Sequence, residues 1–311
     1  MSDTSSSKTY IVTGPTSGIG LCAALELANH AHIILVGRNN EKLDKVRDTI
    51  VAKRDKKVVS VICDFSEPSS VQQAAQEIID LQDSGKFEIA GLLNNAGMRE
   101  SIPTQNSLGW DMTFSTDHVG PFLFTELLIP HLRDGTNVLF VVSGVEDPER
   151  KPAVAAGFRG GRYISVEASA RGEWLSPGNS TVPGFDSYAT SKQCSLVTAL
   201  EFARETPRLR INALEPGFTP NTGLLSRDAD ENTKFVLQKV LPWLAPFMKY
   251  WSTPERAGQV ATQILMDESD QRGIYFDEEG IPFSGSKLAH DPEFGKQVVS
   301  ETRALLEPFH N

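Results

Sequence analysis

Residues 13–20 read TGPTSGIG. The glycines Gly14, Gly18 and Gly20 follow a short β-branched run and open an amphipathic segment. Gly14 permits a tight turn, Gly18 lets the backbone approach a pyrophosphate, and Gly20 allows helix and strand to pack closely. Free N–H groups and the positive end of a helix dipole favour phosphate at this point. A glycine triplet between a clear strand and a clear helix predicts a dinucleotide-binding fold.

Strand and helix patterns alternate along the rest of the chain. Short β-branched runs predict buried strands at residues 10–13, 32–37, 58–64, 89–94, 138–143, 210–214 and 273–276. Helical patterns cover residues 19–29, 41–53, 69–82, 108–132, 187–203, 254–266 and 293–306. Such alternation produces right-handed βαβ units. The sequence therefore predicts an α/β protein with a doubly wound parallel sheet, as a single domain over residues 1–311.

The composition excludes several classes of protein. The 311 residues carry a formal net charge of −10, which argues against nucleic-acid binding because phosphate affinity comes mainly from clustered basic side chains. No apolar run reaches the roughly 18 residues of a membrane span, and the polar N-terminus lacks the apolar region of a signal peptide. The three cysteines are too scattered for a metal site. We expect a cytoplasmic protein without metal or membrane span.

The end of the second predicted strand indicates which dinucleotide binds. Folds that use NAD place an acidic residue here to hold the ribose hydroxyls, whereas an arginine can bind a 2′-phosphate. The strand ends at Arg38, and the first acid, Glu41, already belongs to the next helix. Arg38 therefore favours NADP(H), with an exposed surface arginine as the alternative. Asp64, at the end of the third strand, suits a contact with the adenine amino group or a helix N-terminal role beside Ser66.

A tyrosine and a lysine share one face of a later predicted helix. Tyr188 and Lys192 are four residues apart, which places them on neighbouring turns. A free phenol has a pKa near 10 and is a poor acid–base catalyst at neutral pH. A nearby ammonium lowers that pKa toward the working range. The pair is therefore a candidate proton donor and its tuning group.

Four motifs together resemble the short-chain dehydrogenase/reductase family. They are residues 13–20, Asn-Asn-Ala-Gly at 94–97, the Tyr188–Lys192 pair and Pro-Gly at 216–217. Their order and spacing match that family over nearly the whole chain. The resemblance implies a Rossmann fold with a seven-stranded parallel sheet, and hydride transfer to or from a nicotinamide.

The resemblance also implies individual roles. Ser143, at the end of the fifth predicted strand, matches the serine that hydrogen-bonds the substrate oxygen, while Val142 stands where many relatives have another serine. Tyr188 matches the residue that donates or accepts the proton. Lys192 matches the residue that holds the nicotinamide ribose and tunes the tyrosine. Asn94 resembles the residue that supports the central strand and the adenosine side.

The predicted cofactor contacts lie in the glycine-rich loop, at the ends of the next strands, in the catalytic helix and in the loop after the sixth strand. They are Gly14, Thr16, Ser17, Gly18, Ile19, Gly20, Arg38, Asp64, Phe65, Asn95, Ala96, Gly97, Tyr188, Lys192, Pro216, Gly217, Thr219 and Thr222.

One position departs from the family pattern. The family usually completes its catalytic tetrad with an asparagine, and Asp117 takes that place here. An ionised Asp117 would pair with Lys192, which stabilises the ammonium while weakening its effect on Tyr188. We expect activity to survive, with Asp117 counted among the catalytic residues. An impaired enzyme, or a protein that binds the cofactor without turnover, is the alternative.

Two segments exceed the core of the family. Residues 144–186 form a long insertion, and residues 219–252 form a lid-like segment, both near the predicted substrate site. Extra core packing is the alternative for the second segment. The residues of the insertion that could face the substrate are Phe158, Arg159, Arg162, Tyr163 and Trp174, with a solvated loop equally open for each. The sequence of both segments resembles the branch that contains retinol dehydrogenase-like and protochlorophyllide reductase-like members.

These observations predict an NADP(H)-dependent oxidoreductase that reduces a carbonyl of a bulky, largely apolar small molecule to an alcohol, or performs the reverse reaction. Reduction of a C=C bond is one alternative. A catalytically impaired NADP(H)-binding regulatory protein is the other. The sequence leaves monomer and homodimer equally open.

Overall fold

Seven parallel strands form the centre of the protein. The computed structural model describes residues 8–176, 180, 182–219 and 250–309. Its strands are β1 (Lys8–Thr13), β2 (His32–Gly37), β3 (Val58–Ile62), β4 (Glu88–Asn94), β5 (Asn137–Val141), β6 (Arg210–Leu214) and β7 (Tyr275–Phe276). Every neighbouring pair is parallel, in the order β3-β2-β1-β4-β5-β6-β7. The predicted doubly wound, seven-stranded parallel sheet is confirmed.

Helices cover both faces of the sheet. They are α1 (Gly18–Leu27), α2 (Asn40–Val51), α3 (Pro68–Asp83), α4 (Met112–Phe114), α5 (Gly120–Leu128), α6 (Lys151–Ala155), α7 (Val166–Ala170), α8 (Gly184–Glu205), α9 (Pro254–Met266) and α10 (Pro292–Leu306). Alternate strand residues point to opposite faces. One face therefore packs on α1, α2 and α9, and the other packs on α3, α5, α8 and α10.

The strand order brings the sequence motifs to one edge of the sheet. The chain runs outward in one direction from β1 to β3 and in the other direction from β4, so β1 and β4 are neighbours. A crevice forms beyond the carboxyl ends of the strands at such a switch point. The glycine-rich loop follows β1, the Asn-Asn-Ala-Gly motif closes β4, and Ser143 follows β5. Residues that are far apart in sequence therefore share one site.

The fourth helical segment differs from its prediction. The sequence predicts one helix over residues 108–132, but the helix begins at Met112, because Asp111 caps it by accepting a hydrogen bond from the Phe114 N–H at 2.8 Å. Gly109, with φ of +76°, forms a turn before it. A π-helical turn at Ser115–Val119 then separates α4 from α5 and carries Asp117. Such turns often occur at functional sites.

The insertion is partly helical and is tied to the C-terminal helix. The hydroxyl of Tyr163 and the N–H of Val166 both donate to Oε2 of Glu301 in α10, at 2.7 and 2.8 Å. The ring of Trp174 packs near that of Phe114, with 6.4 Å between centroids. Tyr163 and Trp174 therefore anchor the insertion to the rest of the fold.

Some of the predicted sites lie outside the described residues. These are Thr222 and all of the lid-like segment except Thr219 and residues 250–252. Within the described ranges, no helix has the length and apolar character needed to cross a bilayer.

Helices α1 and α9 pack with their backbones in close approach. A Cβ atom on Gly258 of α9 would lie 2.8 Å from the backbone nitrogen of Ala23 and 2.8 Å from Cβ of Cys22. The first of these atoms is main chain, so a side-chain movement cannot relieve the clash. Because α1 begins at the glycine-rich loop, this contact also positions that loop.

The substitution Gly258→Ala is expected to lower the free energy of unfolding by about 1–3 kcal/mol through overpacking, although alanine favours helix formation. Urea denaturation measures the change. Gln259→Ala, at the exposed neighbouring position, is the control and should be neutral or slightly stabilising. Wild-type stability in Gly258→Ala would contradict the close approach of the two helices.

Candidate active site

The glycine-rich loop is held by the ends of β1 and β4. The hydroxyl of Thr13 accepts hydrogen bonds from the N–H groups of Asn95 and Ala96, at 2.9 and 2.8 Å, and donates to the carbonyl of Leu93 at 3.2 Å. The side-chain amide of Asn95 donates to the carbonyls of Thr13 and Gly14, at 2.9 and 3.2 Å. Two of the sequence motifs therefore form one hydrogen-bonded unit.

Two glycines of this loop are required by its geometry. Gly14 has φ of +64°, and a Cβ there would lie 2.9 Å from Cα of Ala96. A Cβ on Gly20 would lie 2.4 Å from Nδ2 of Asn95. The side chain of Ser17 at the N-cap of α1 makes no capping hydrogen bond. Helix N–H groups that no side chain caps are a ready site for an anion.

A cavity of about 500 Å³ lies against this loop. The predicted cofactor contacts that line it are Gly14, Thr16, Ser17, Gly18, Ile19, Arg38, Asp64, Phe65, Asn95, Ala96 and Gly97. Gly20 lies beneath the loop and does not line the cavity. Asn94 supports the central strand, because its amide donates to the hydroxyl of Thr125 in α5 at 2.7 Å.

The end of this cavity near β2 is basic. Arg38 and Lys42, both exposed, line it together, and neither forms an ion pair within the part of the chain that the structure describes. Asp64 lines the same cavity, while its Oδ1 accepts hydrogen bonds from the N–H and hydroxyl of Ser66, at 3.0 and 2.7 Å. Asp64 therefore occupies both positions considered from the sequence, at the cavity wall and before α3.

A second cavity, of about 480 Å³, adjoins the first. Ile19 and Arg99 line both cavities. The predicted site residues that line the second are Ser143, Tyr188, Pro216, Gly217 and Thr219. Most of its other lining is apolar or aromatic. The structure thus brings the candidate catalytic groups to a largely apolar space beside the glycine-rich cavity.

Tyr188 is the reactive group that this cavity exposes. Its side chain is partly buried, and the hydroxyl-bearing Ser143 lines the same cavity. Nζ of Lys192 lies 5.5 Å from the centre of the Tyr188 ring. Lys192 itself is buried behind the cavity wall, as is Asp117. The tyrosine is therefore the group that can exchange a proton with a ligand.

Asp117 and Lys192 form a buried ion pair. Nζ of Lys192 lies 3.0 Å from Oδ2 of Asp117, and the two side chains are 7% and 0% exposed. Oδ1 of Asp117 accepts a hydrogen bond from the N–H of Met98 at 2.7 Å, and its carbonyl accepts one from the hydroxyl of Ser195 at 2.7 Å. The predicted pairing of an ionised Asp117 with Lys192 is therefore present in the geometry.

Burial and the ion pair set the charges of the site. Burial is the largest single effect on Lys192 and lowers its pKa, but Asp117 and Tyr188 together outweigh it, so that the pKa is raised. Burial raises the pKa of Asp117, and Lys192 opposes this rise. Burial also raises the pKa of Tyr188; the ammonium of Lys192 opposes the rise and the carboxylate of Asp117 adds to it. In the protein alone, Tyr188 is thus a protonated phenol at neutral pH, rather than one whose pKa is lowered.

Sequence patterns did not identify four charged residues that line the cavities. Lys42 was detectable, because it lies in the first turn of the helix that follows Arg38. Arg99, Arg150 and Glu215 had no local signal, since tertiary packing brings them to the second cavity. Burial raises the pKa of Glu215 to about 7, and the neighbouring Arg150 guanidinium opposes this rise.

The remaining candidates from the insertion, Phe158, Arg159 and Arg162, differ in whether they line the second cavity. Phe158 lines the second cavity. Arg159 instead pairs with Asp186 at 2.7 Å, and the Arg162 guanidinium donates to the carbonyl of Leu175 at 2.6 Å. Arg159 and Arg162 are not part of the cavity lining. The described ranges contain no cluster of three or more histidine, cysteine or acidic side chains that could hold a metal ion.

Comparisons with known proteins agree with this arrangement. Residues 8–153 match the family model described as short chain dehydrogenase. An uncharacterized oxidoreductase of Schizosaccharomyces pombe is 38% identical over 128 residues, which are 40% of this chain and 37% of that protein. The chloroplastic protochlorophyllide reductase of Marchantia paleacea is 25% identical over 95% of this chain and 67% of its own length. Human retinol dehydrogenase 13 is 26% identical, over 96% and 84% respectively.

Solved structures share the fold. A short chain dehydrogenase from Shigella flexneri, complexed with NADP, has a TM-score of 0.60 and 24% identity over 88% of this chain and 97% of that chain. This likeness shows that the same arrangement of helices and strands occurs in an NADP complex.

The buried ion pair makes a direct prediction about stability. Asp117→Ala leaves the Lys192 ammonium buried without its partner and is expected to lower the free energy of unfolding by about 3–5 kcal/mol. The double variant Asp117→Ala/Lys192→Met removes both charges and should recover most of the loss. Urea denaturation of the wild type, both single variants and the double variant completes a thermodynamic cycle. Additive losses would mean that the two side chains do not interact.

Proposed function

We propose that this chain is an NADP(H)-dependent oxidoreductase of the short-chain dehydrogenase/reductase family, and the match of residues 8–153 to that family's model supports the proposal. Its reaction is the reduction of a carbonyl group to an alcohol on a bulky, largely apolar small molecule. The observation that carries the proposal is the position of Tyr188. Tyr188 and Ser143 both line a largely apolar cavity that adjoins the glycine-rich cavity.

The residues of the first cavity fit a phosphorylated dinucleotide. The N-terminus of α1, without a side-chain cap, suits the pyrophosphate, and Arg38 with Lys42 suits a 2′-phosphate at the far end. The described end of β2 bears no acid that would hold ribose hydroxyls in the manner typical of NAD. When bound, NADPH supplies the hydride.

The chain's own groups handle the proton and the oxygen. Tyr188 transfers its phenolic proton to the carbonyl oxygen, and Ser143 donates a hydrogen bond to the same oxygen. Lys192 stabilises the phenolate that remains, because its ammonium lies 5.5 Å from the ring centre. Asp117 keeps Lys192 charged and in place through the ion pair at 3.0 Å. The raised pKa keeps Tyr188 protonated at neutral pH, which is the state that the reductive direction requires.

Tyr188→Phe is expected to lower kcat for carbonyl reduction by about 100-fold or more, since general acid catalysis contributes on that scale. Oxidation of NADPH, followed by its absorbance with a panel of ketones and enones, measures the rate. Tyr10→Phe, at a buried position of β1 that lines neither cavity, is the matched control and should retain wild-type turnover. Unchanged turnover in Tyr188→Phe would refute the mechanism.

Arg38→Asp should weaken NADPH binding by roughly 10- to 100-fold, because it removes a charge-assisted contact to phosphate. NADH binding should change much less. Fluorescence titration with both cofactors gives the two dissociation constants. Lys45→Asp reverses a charge on α2, the helix that follows Arg38, at a position that does not line the cavity. This variant should leave the ratio of the two dissociation constants unaltered. Equal losses for both cofactors would exclude the 2′-phosphate role.

Reduction of a C=C bond is the second candidate, and the match to a protochlorophyllide reductase over 95% of this chain supports it. Product analysis with deuterated NADPH separates the two, since deuterium appears on the alcohol carbon in one case and on a former alkene carbon in the other. A wild-type protein that binds NADPH but reduces neither group would instead support an NADP(H)-binding regulatory role.

A further inference from the structure

The second cavity is lined by many aromatic rings. Among the described residues, the aromatic side chains in its lining are Phe158, Phe185, Tyr188, Phe218, Tyr250 and Trp251. A bulky aliphatic ligand would need only apolar surface, which leucine, valine and isoleucine supply equally well. The choice of rings therefore carries information about the shape of the ligand.

The first group of rings surrounds the reactive phenol. Phe158 and Phe185 stack face to face, with 4.0 Å between their centroids and 8° between their planes. The ring of Phe158 lies 6.2 Å from that of Tyr188. The guanidinium of Arg99 lies 5.2 Å from the centre of the Phe185 ring. A stacked pair with a cation on one member forms a flat, electron-rich wall next to the proton donor.

The second group of rings is held by backbone hydrogen bonds. Phe218 and Trp251 meet edge to face, with 4.9 Å between centroids. The N–H of Phe218 donates to the carbonyl of Tyr250 at 2.8 Å, and the N–H of Ser252 donates to the carbonyl of Phe218 at 3.0 Å. Tyr250 has φ of +69°, a strained conformation for a residue with a bulky side chain. This group is therefore set in place by the main chain.

Fixed rings favour a flat partner. Aromatic pairs are worth about 0.5–1.5 kcal/mol beyond the area that they bury, and a planar ligand makes such contacts with rings of both groups. A flexible chain makes none of them and loses conformational freedom when it binds. Because rings close to Tyr188 are included, the contacts also align a carbonyl that is conjugated with the ligand's ring system.

The same cavity holds one buried polar pair. Arg150 forms an ion pair with Glu215, and its side chain remains 14% exposed. Its guanidinium lies 5.1 Å from the centre of the Tyr250 ring and 5.3 Å from that of Phe283. Glu215 and the two rings hold the guanidinium plane. Arg150 therefore offers N–H groups in a fixed orientation to the cavity.

We propose that the substrates are planar ketones conjugated with a fused ring system, and that Arg150 donates a hydrogen bond to a second oxygen on the ring remote from the reacting carbonyl. This inference rests on the proposed carbonyl reductase function. In this reaction, a hydride from NADPH forms the new C–H bond, and Tyr188 supplies the proton to the carbonyl oxygen.

Substrates of equal size test the class. The wild-type enzyme should reduce 1-tetralone, a bicyclic aryl ketone, with a kcat/KM at least tenfold above that for 2-decanone, a linear ketone with the same number of carbons. NADPH absorbance measures both rates. Equal values, or a preference for the linear ketone, would overturn the assignment to planar ring ketones.

Variants that replace an aromatic ring by an apolar side chain test whether the rings cause the preference for the ring ketone. Phe158→Leu and Trp251→Leu should each raise KM for 1-tetralone by roughly three- to tenfold, the size of a lost ring contact, with little change for 2-decanone. Phe309→Leu removes a ring that packs on Trp110, away from the cavity, with 5.9 Å between centroids, and it should alter neither KM. Equal rises for both ketones would show that the rings supply only bulk.

A hydroxylated substrate tests Arg150. The wild type should favour 6-hydroxy-1-tetralone over 1-tetralone by roughly tenfold in KM, the scale of one hydrogen bond to a charged group. The double variant Arg150→Met/Glu215→Gln removes both charges, so that neither is left buried alone, and it should abolish the preference while keeping turnover of 1-tetralone. A preference that survives in the double variant, or is absent from the wild type, would exclude the role of Arg150.

Binding without turnover separates failure of this inference from failure of the proposed function. In the Tyr188→Phe variant, 1-tetralone should quench tryptophan fluorescence, because Trp251 lines the cavity, and 2-decanone should quench it far less. Selective quenching without reduction by the wild type would refute the reductase function while keeping the ligand class. Reduction of both ketones at equal rates, with equal quenching, would refute the ligand class alone.

Discussion

The buried ion pair between Asp117 and Lys192 connects the parts of this protein on which the candidate site depends. Asp117 lies in the π-helical turn before α5, and its carboxylate contacts both the loop after β4, through the N–H of Met98, and α8, through Lys192. Its carbonyl holds Ser195, one turn further along α8. Burying a charge pair at 7% and 0% exposure is costly, and the bond from the N–H of Met98 to Asp117 offsets part of that cost. The glycine-rich cavity and the catalytic helix therefore keep one relative position.

Local patterns predicted the topology and most of the candidate site, because the relevant information is local in sequence. Periodicity distinguishes strands from helices, and in a parallel α/β sheet the loops after the strands meet at one edge, so the glycine loop and Ser143 had to lie near each other. The insertion has no such periodicity. Tyr163 found its partner in Glu301, 138 residues later, and nothing near either residue in the sequence indicates that hydrogen bond.

The pKa of Tyr188 also depends on features of the fold that sequence spacing does not contain. Spacing identified Lys192 as the neighbour that lowers the phenol's pKa, and the structure agrees on that contribution. Burial is the larger effect and acts in the opposite direction, and Asp117 adds to it. Burial is a property of the whole fold, so helix spacing cannot reveal it. The outcome still suits proton donation, since a phenol that holds its proton at neutral pH is ready to give it to a developing alkoxide.

The two adjoining cavities differ in charge, and this difference determines which kind of ligand each cavity favours. The chain carries a net charge of −10, yet surface acids beyond about 8 Å are largely screened at physiological ionic strength. The local field at the first cavity is therefore set by Arg38, Lys42 and the helix N-terminus, which favour an anion. In the second cavity Glu215 opposes the charge of Arg150, and most of the lining is apolar or aromatic. The first cavity therefore favours an anion, and the second favours a largely apolar ligand.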